Sequence, residues 1–201
     1  MNFLAHLYLS GNSGDIMTGN FIGDYIKGNR YLAYRDGIRR GILIHRKIDH
    51  FTDHHKAFLE TKNYFRPVYS RYSGIAADVV FDYFLANNWP LFSEVSLSEF
   101  ASYAHSALLK NFDILPDEVK RFLPIMIHNR RLESYATAEG IDTSLRIMSG
   151  YSSIPYRESF IPDLLSSRHD QLFHLFNQFM DDIIDFINEN ENLAIVRPVD
   201  Q

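Results

Sequence analysis

Residues 37–55, G-I-R-R-G-I-L-I-H-R-K-I-D-H-F-T-D-H-H, set a histidine and two carboxylates where an amphipathic helix would keep its core. At about 100° per residue, His45 and Asp49 fall inside the arc of Ile38, Ile42, Ile44 and Ile48, while Arg39, Arg46, Lys47, His50 and His54 lie on the opposite face. An ionised carboxylate aimed into a core is costly unless it is paired, hydrogen-bonded or bound to a metal. Residues 75–88 repeat the pattern: Asp78 and Asp82, four apart, point with Phe81 and Leu85 and repel each other unless a cation lies between them. Asp24 shares a face with Met17 and Phe21, and His6 lies between Phe3 and Leu9.

Each of these has an ordinary reading by itself: His6 as a core histidine, Asp24 as a turn brace, His45 and Asp49 as a buried ion pair, Asp53 as a rim residue. Together, His6, Asp24, His45, Asp49, Asp78 and Asp82 carry excess negative charge that a divalent cation would neutralise. Mixed imidazole and carboxylate ligands without sulfur favour Mn²⁺, Fe²⁺ or Mg²⁺ over structural zinc. The His169-Asp170 dipeptide follows Ser166, Ser167 and Arg168 on a polar face and reads as solvated surface. His50, His54 and His55 lie off the apolar arc, and His105, His128 and His174 have no acid at ligand spacing. No phosphate-loop or serine-nucleophile motif is present.

The elements that must carry these side chains are helical almost throughout. A first helix over 2–9 precedes the turn S-G-N-S-G, where Ser13 or Asp15 can cap a second ending near 27, before Gly28. A long third helix is expected over 33–64, limited by Pro67, and a fourth over 75–88, stopped at Trp89 and Pro90. Ser96 and Glu99 form a capping box for a helix to 110. Pro116 and Pro124 suit the first turns of two shorter helices, and Asp142 can cap another ahead of Gly150. The last helix is expected over 157–190, interrupted or restarted at Pro162. The reading is therefore an all-α, single-domain helical bundle over 1–190, with a loose tail over 191–201.

The 201 residues include no cysteine, which excludes disulfides and thiolate chemistry and suits a cytoplasmic location. No apolar run approaches membrane-spanning length, and M-N-F-L-A-H-L-Y-L lacks a basic start, so it reads as a mature helix and not a secretion signal. The net charge of −5 conceals an asymmetry: residues 27–71 hold eleven Lys and Arg against four acids, or +7, leaving −12 elsewhere. That segment suggests a docking face for an anionic partner, although exposed helices also carry such charge for solubility. Nucleic acid is disfavoured by the acidic whole and the lack of a binding motif.

Four spaced motifs, N-F-L-A-H-L at 2–7, G-N-F-I-G-D at 19–24, H-R-K-I-D-H-F-T-D at 45–53 and D-V-V-F-D-Y-F-L at 78–85, resemble the acyl carrier protein phosphodiesterases, also called acyl carrier protein hydrolases. The likeness is strongest over the first ninety residues. It implies a relative of the His-Asp phosphohydrolase fold, a Mn²⁺ site, a place in fatty acid biosynthesis, and removal of 4'-phosphopantetheine from holo acyl carrier protein. The matching positions are His6, Asp24, His45, Asp49, Asp53, Asp78 and Asp82. Of these, Asp24, His45, Asp49 and Asp53 are expected to be catalytic, and all but Asp53 to bind metal. The usual adjacent His-Asp pair is replaced here by His45-x-x-x-Asp49. Acyl carrier proteins are acidic, so Arg39, Arg40, Arg46 and Lys47 become the first docking candidates. Two alternatives stay open: a phosphohydrolase of nucleotides or other small phosphorylated metabolites, and a non-catalytic helical module that binds acidic proteins.

Overall fold

The structure, a computed structural model, describes residues 3–198. Among these there is no strand, and the expected all-α class holds. The helices are α1 (Phe3–Tyr8), α2 (Gly14–Ile22), α3 (Asp36–His54), α4 (Lys56–Tyr69), α5 (Ser73–Asn87), α6 (Leu97–Lys110), α7 (Asp117–His128), α8 (Arg131–Ser134), α9 (Ala138–Tyr151) and α10 (Phe160–Glu191). Among the described residues, no helix is long and apolar enough to cross a membrane.

Two glycines set the closest crossing. A Cβ built on Gly19 of α2 would lie 2.0 Å from the Ile38 carbonyl oxygen, and one on Gly41 of α3 would lie 2.2 Å from that of Ile16. Any side chain at either position would wedge the helices apart, so α2 and α3 pack backbone against backbone. This crossing brings the inward residues of both helices to one place. Behind it, α4 and α5 pack together and α10 lies across α3, α4, α5 and α9. Phe58, Phe81, Phe84, Phe92, Phe176 and Phe179 fill the space between these elements, with ring centroids 5.2–6.1 Å apart. Edge-on and tilted contacts at that range add to the stabilisation from burial.

Several boundaries differ from expectation. The α2 helix stops at Ile22 and tightens into a 3-10 turn at Gly23–Tyr25 instead of running to 27. The long third helix is two: His55 is extended (φ −74°, ψ 130°), separating α3 from α4, and α4 then continues through Pro67 to Tyr69. The His55 imidazole is held there by Asp182 at 2.9 Å and against the ring of Phe179 at 5.2 Å, tertiary contacts that override local propensity. Pro124 starts no helix but sits exposed inside α7, where water can replace the bond it cannot make. The cap of α9 is Thr137, whose Oγ1 accepts from Gly140 N at 3.0 Å. Asp142 lies inside that helix and accepts from the Tyr156 hydroxyl at 2.7 Å. In α10 the break falls at Arg168 (φ −133°, ψ 18°), not at Pro162 in the first turn. The Ser96–Glu99 capping box forms as expected.

Past Glu191 the chain to residue 198 is packed rather than loose. Asn188 bonds the backbone N and O of Ile195 at 2.9 and 2.8 Å, Ile195 is buried, and Arg197 pairs with Asp181 and lies 4.6 Å from the centre of the Phe92 ring. Residues 199–201 of the expected tail lie outside the described residues.

Candidate metal centre

Three elements meet at one point: α1 supplies His6, α2 supplies Asn20, and α3 supplies His45 and Asp49. The two imidazoles stack with centroids 4.1 Å apart and planes 20° from parallel. Both are buried. Gly23 makes room for the second ring, because a Cβ there would lie 2.2 Å from His45 Cγ.

Asn20 fixes which nitrogen of each ring faces the centre. Its Nδ2 donates to the His6 carbonyl at 2.7 Å and to Ser10 Oγ at 2.9 Å, which leaves Oδ1 to accept from His6 Nδ1 at 2.7 Å. The Asn20 backbone carbonyl accepts from His45 Nδ1 at 2.8 Å. With both Nδ1 atoms donating, the Nε2 atoms are the ones turned inward. They face Asp49 at 3.3 Å from His6 and 3.0 Å from His45, yet both are buried without a hydrogen bond of proper geometry.

Among the described residues, one Nε2 of each histidine and an Asp49 oxygen lie within 4.8 Å of one another. The edge of an octahedron whose ligands stand about 2.1 Å from its centre is about 3.0 Å. The donor set therefore fits a divalent cation. The electrostatics agree with this. Burial, then the nearby charge of His45, lowers His6 to about 4, keeping that ring neutral. Burial also pulls His45 down, but Asp24 and Asp49 outweigh it and hold the ring at about 9. Burial raises Asp49, and the two imidazoles more than reverse it, so the carboxylate is ionised. The two carboxylates thus favour positive charge at the centre.

Asp24, on the 3-10 turn, stands at the edge, 3.4 Å from His45 Nε2 with its side chain 69% exposed. Its interaction with His45 holds its pKa below the usual carboxylate range against the effect of burial. It is an ionised carboxylate open to solvent beside the two histidines.

The other expected ligands are placed differently. Asp82 is fully buried, but its oxygens accept the backbone N–H groups of Leu4 and Ala5, each at 3.0 Å. It ties down the start of α1, whose first N–H groups have no partner inside the helix. Asp78, one turn earlier on α5, is half-buried and stands outside the ligand set. Burial first, and the charges of Asp49 and Asp53 further down, raise its pKa. Asp53 is exposed on the last turn of α3 and is not brought into the set either. Sequence reasoning missed Asn20 and Gly23, both within the G-N-F-I-G-D motif.

From this centre a cleft of about 600 Å³ opens between α1, α2, α7 and α9. Its walls include Phe3, Phe21, Tyr25, Phe122, Met126 and Met148, and His6, Asn20, Asp24 and His45 line it as well. On the polar side of α3, Arg39, Arg40, Arg46 and Lys47 line one groove of about 570 Å³. They are not equivalent. Arg40 donates to the Glu191 carbonyl and Lys47 pairs with the Glu191 carboxylate. Arg46 donates to the carbonyls of Ile26 and Gly28 at 2.9 and 2.8 Å and lies over Tyr31. Arg39 pairs with Asp36, itself 91% exposed. His169 and Asp170 are exposed, as expected.

No solved structure matches this chain. Curated relatives named acyl carrier protein phosphodiesterase do. The protein of Enterobacter sp. (strain 638) is 36% identical over 186 residues, covering 89% of this chain and 93% of its own length. That of Klebsiella pneumoniae (strain 342) is 34% identical over 186 residues with the same coverage, and that of Yersinia enterocolitica 32% over 171 residues, covering 85% and 86%. The model of the family described as acyl carrier protein phosphodiesterase matches residues 1–183, a span that includes every residue of the candidate centre. By this match and these identities, the chain belongs to the acyl carrier protein phosphodiesterase family of hydrolases.

Proposed function

We propose that this chain removes 4'-phosphopantetheine from holo acyl carrier protein, giving the apo form, with Mn²⁺ as cofactor and Mg²⁺ or Fe²⁺ as possible substitutes. One observation carries the metal-dependent reading: two buried Nε2 atoms, oriented by Asn20, converge with Asp49 beside an open cleft. The relatives' name supplies the substrate.

His6, His45 and Asp49 would hold the cation, with Asp24 at its edge. When bound, the cation would polarise a phosphoryl oxygen and lower the pKa of a water. Asp24, ionised and solvent-facing, is placed to take the proton of the attacking water. The water oxygen bonds to phosphorus, the bond from phosphorus to the carrier serine oxygen breaks, and that oxygen takes up one proton. The cleft receives the pantetheine arm and shields the reacting bond from bulk water. Docking of the acidic carrier would use the α3 groove, chiefly through Arg39.

The test is incubation of pure protein with holo carrier and, separately, with a nucleotide panel, each with Mn²⁺. Intact-mass analysis should show the carrier losing its whole phosphopantetheine group. Loss of an acyl group with the arm retained would mean thioesterase chemistry. Turnover of nucleotides alone would make it a small-molecule phosphohydrolase, and carrier binding without turnover a non-catalytic module.

A further inference from the structure

The mouth of the cleft carries large apolar side chains that the fold leaves in water. Ile125 of α7 is 61% exposed, Ile147 of α9 is 44% exposed and Tyr151 at the end of α9 is 91% exposed, and all three line the cleft that begins at the metal centre. Ile147 and Tyr151 are four residues apart and so stand on one face of α9. Single exposed apolar residues need no explanation, but a group of them around the opening of a site marks a contact surface. Cations flank the group: Arg121, exposed, is one turn before Ile125 on α7, and Arg131 lines the same cleft. Tyrosine, methionine and arginine around an apolar centre form the composition of a protein-contacting patch.

The chemistry indicates what covers it. In the proposed reaction the phosphorus is joined directly to a carrier serine, so the carrier backbone comes within about three bonds of about 1.5 Å each from the reacting atom. No linker separates the two proteins, and the surface around the cleft mouth must touch the carrier itself. We propose that Ile125, Ile147 and Tyr151, with Arg121 beside them, seat the carrier residues around the modified serine. This surface is distinct from the α3 groove: apolar at its centre, with cations at its edge for an acidic partner. The inference rests on the function proposed above.

Because these side chains face water, Ile125→Ser, Ile147→Ser and Tyr151→Ser leave the core intact, and an unchanged melting temperature and Mn²⁺ affinity verify that. Affinity is measured by calorimetry with apo carrier, which the reaction does not consume. Each substitution should weaken binding about five- to tenfold, the range of an interface anchor, and KM for holo carrier should rise with it. Variants that bind apo carrier as the parent does would overturn the proposal. So would variants that convert a self-associated chain to monomers in sedimentation, since the patch would then be covered by a second copy. A parent chain that binds carrier but leaves its arm in place refutes the phosphodiesterase reading while the rim remains testable. A parent that does not bind carrier refutes both.

Discussion

Asp49 faces two imidazole nitrogens at once, and its neighbours leave it ionised, so it is the anionic member of the proposed ligand set. Asp49→Asn keeps the shape and removes that charge. Mn²⁺ affinity, measured by titration with the metal alone, should fall about 100-fold or more, beyond the range lost on removing an outer partner, and activity should vanish with it. Unchanged metal content would refute the ligand assignment. Asn20→Leu should cost about 10- to 100-fold in Mn²⁺ affinity by releasing His6 Nδ1, although Asn20 itself would not hold the ion. His6, His45 and Asp49 were legible in the sequence because each puts polarity on an apolar face. Asp82 shows the limit of that signal: a carboxylate inside an apolar arc looks the same whether it meets a cation or the N–H groups of a helix end. Asn20 is uncharged and flanked by Gly19 and Phe21, so nothing in its type separates a ring-orienting amide from a core amide.

At the level of elements, the site depends on how α1 and the turn after α2 are held. Asp82→Ala should destabilise the chain by about 1–3 kcal/mol, because two N–H groups at the start of α1 lose their acceptor inside the core. Burial pushes the Asp82 carboxyl up to about 7 against the pull of those donors. Since the folded value lies above the unfolded one of about 3.9, this contribution to stability is complete below about pH 4 and lost as pH rises through about 7. His6, held at about 4, adds stability as pH rises through the same window, so the readout is the difference between proteins: Asp82→Asn, neutral throughout, should gain melting temperature relative to the parent as pH rises from about 4 to about 7. Gly23→Ala probes the turn. Its backbone is helical (φ −52°, ψ −41°), so alanine is acceptable there except for the His45 ring 2.2 Å from the added carbon. It should lower Mn²⁺ affinity more than it lowers the melting temperature, and a normal affinity would show that the ring can move aside. Helix class and most helix cores were readable from periodicity, and the capping box from its residues. The break at His55 was not, because what holds it is Asp182, 127 residues away in sequence.

Over the whole molecule, the +7 segment is partly neutralised by the fold. Glu191 at the end of α10 engages Arg40 and Lys47, and Arg46 is committed to the loop carbonyls of Ile26 and Gly28. The sequence showed the charge but not these partners, which come from the far end of the chain and from a loop. Reversing Arg46 would disturb the 26–28 loop beside Asp24 and confuse docking with chemistry. Arg39 is the cleaner probe, because its ion partner Asp36 is three residues away on the same exposed surface, where such pairs contribute little. Arg39→Glu should raise KM for the carrier several-fold with a smaller change in kcat, the signature of lost encounter steering. Added salt should act on the parent in the same direction, since charges are screened over about 10 Å at 0.1 M ionic strength. The variant should lose part of that dependence, because the charge that salt would screen has been reversed. Steady-state kinetics from low to high salt on both proteins decide the matter. If KM and its salt response are the same in both, Arg39 plays no part in docking and its charge serves only to keep the α3 surface soluble.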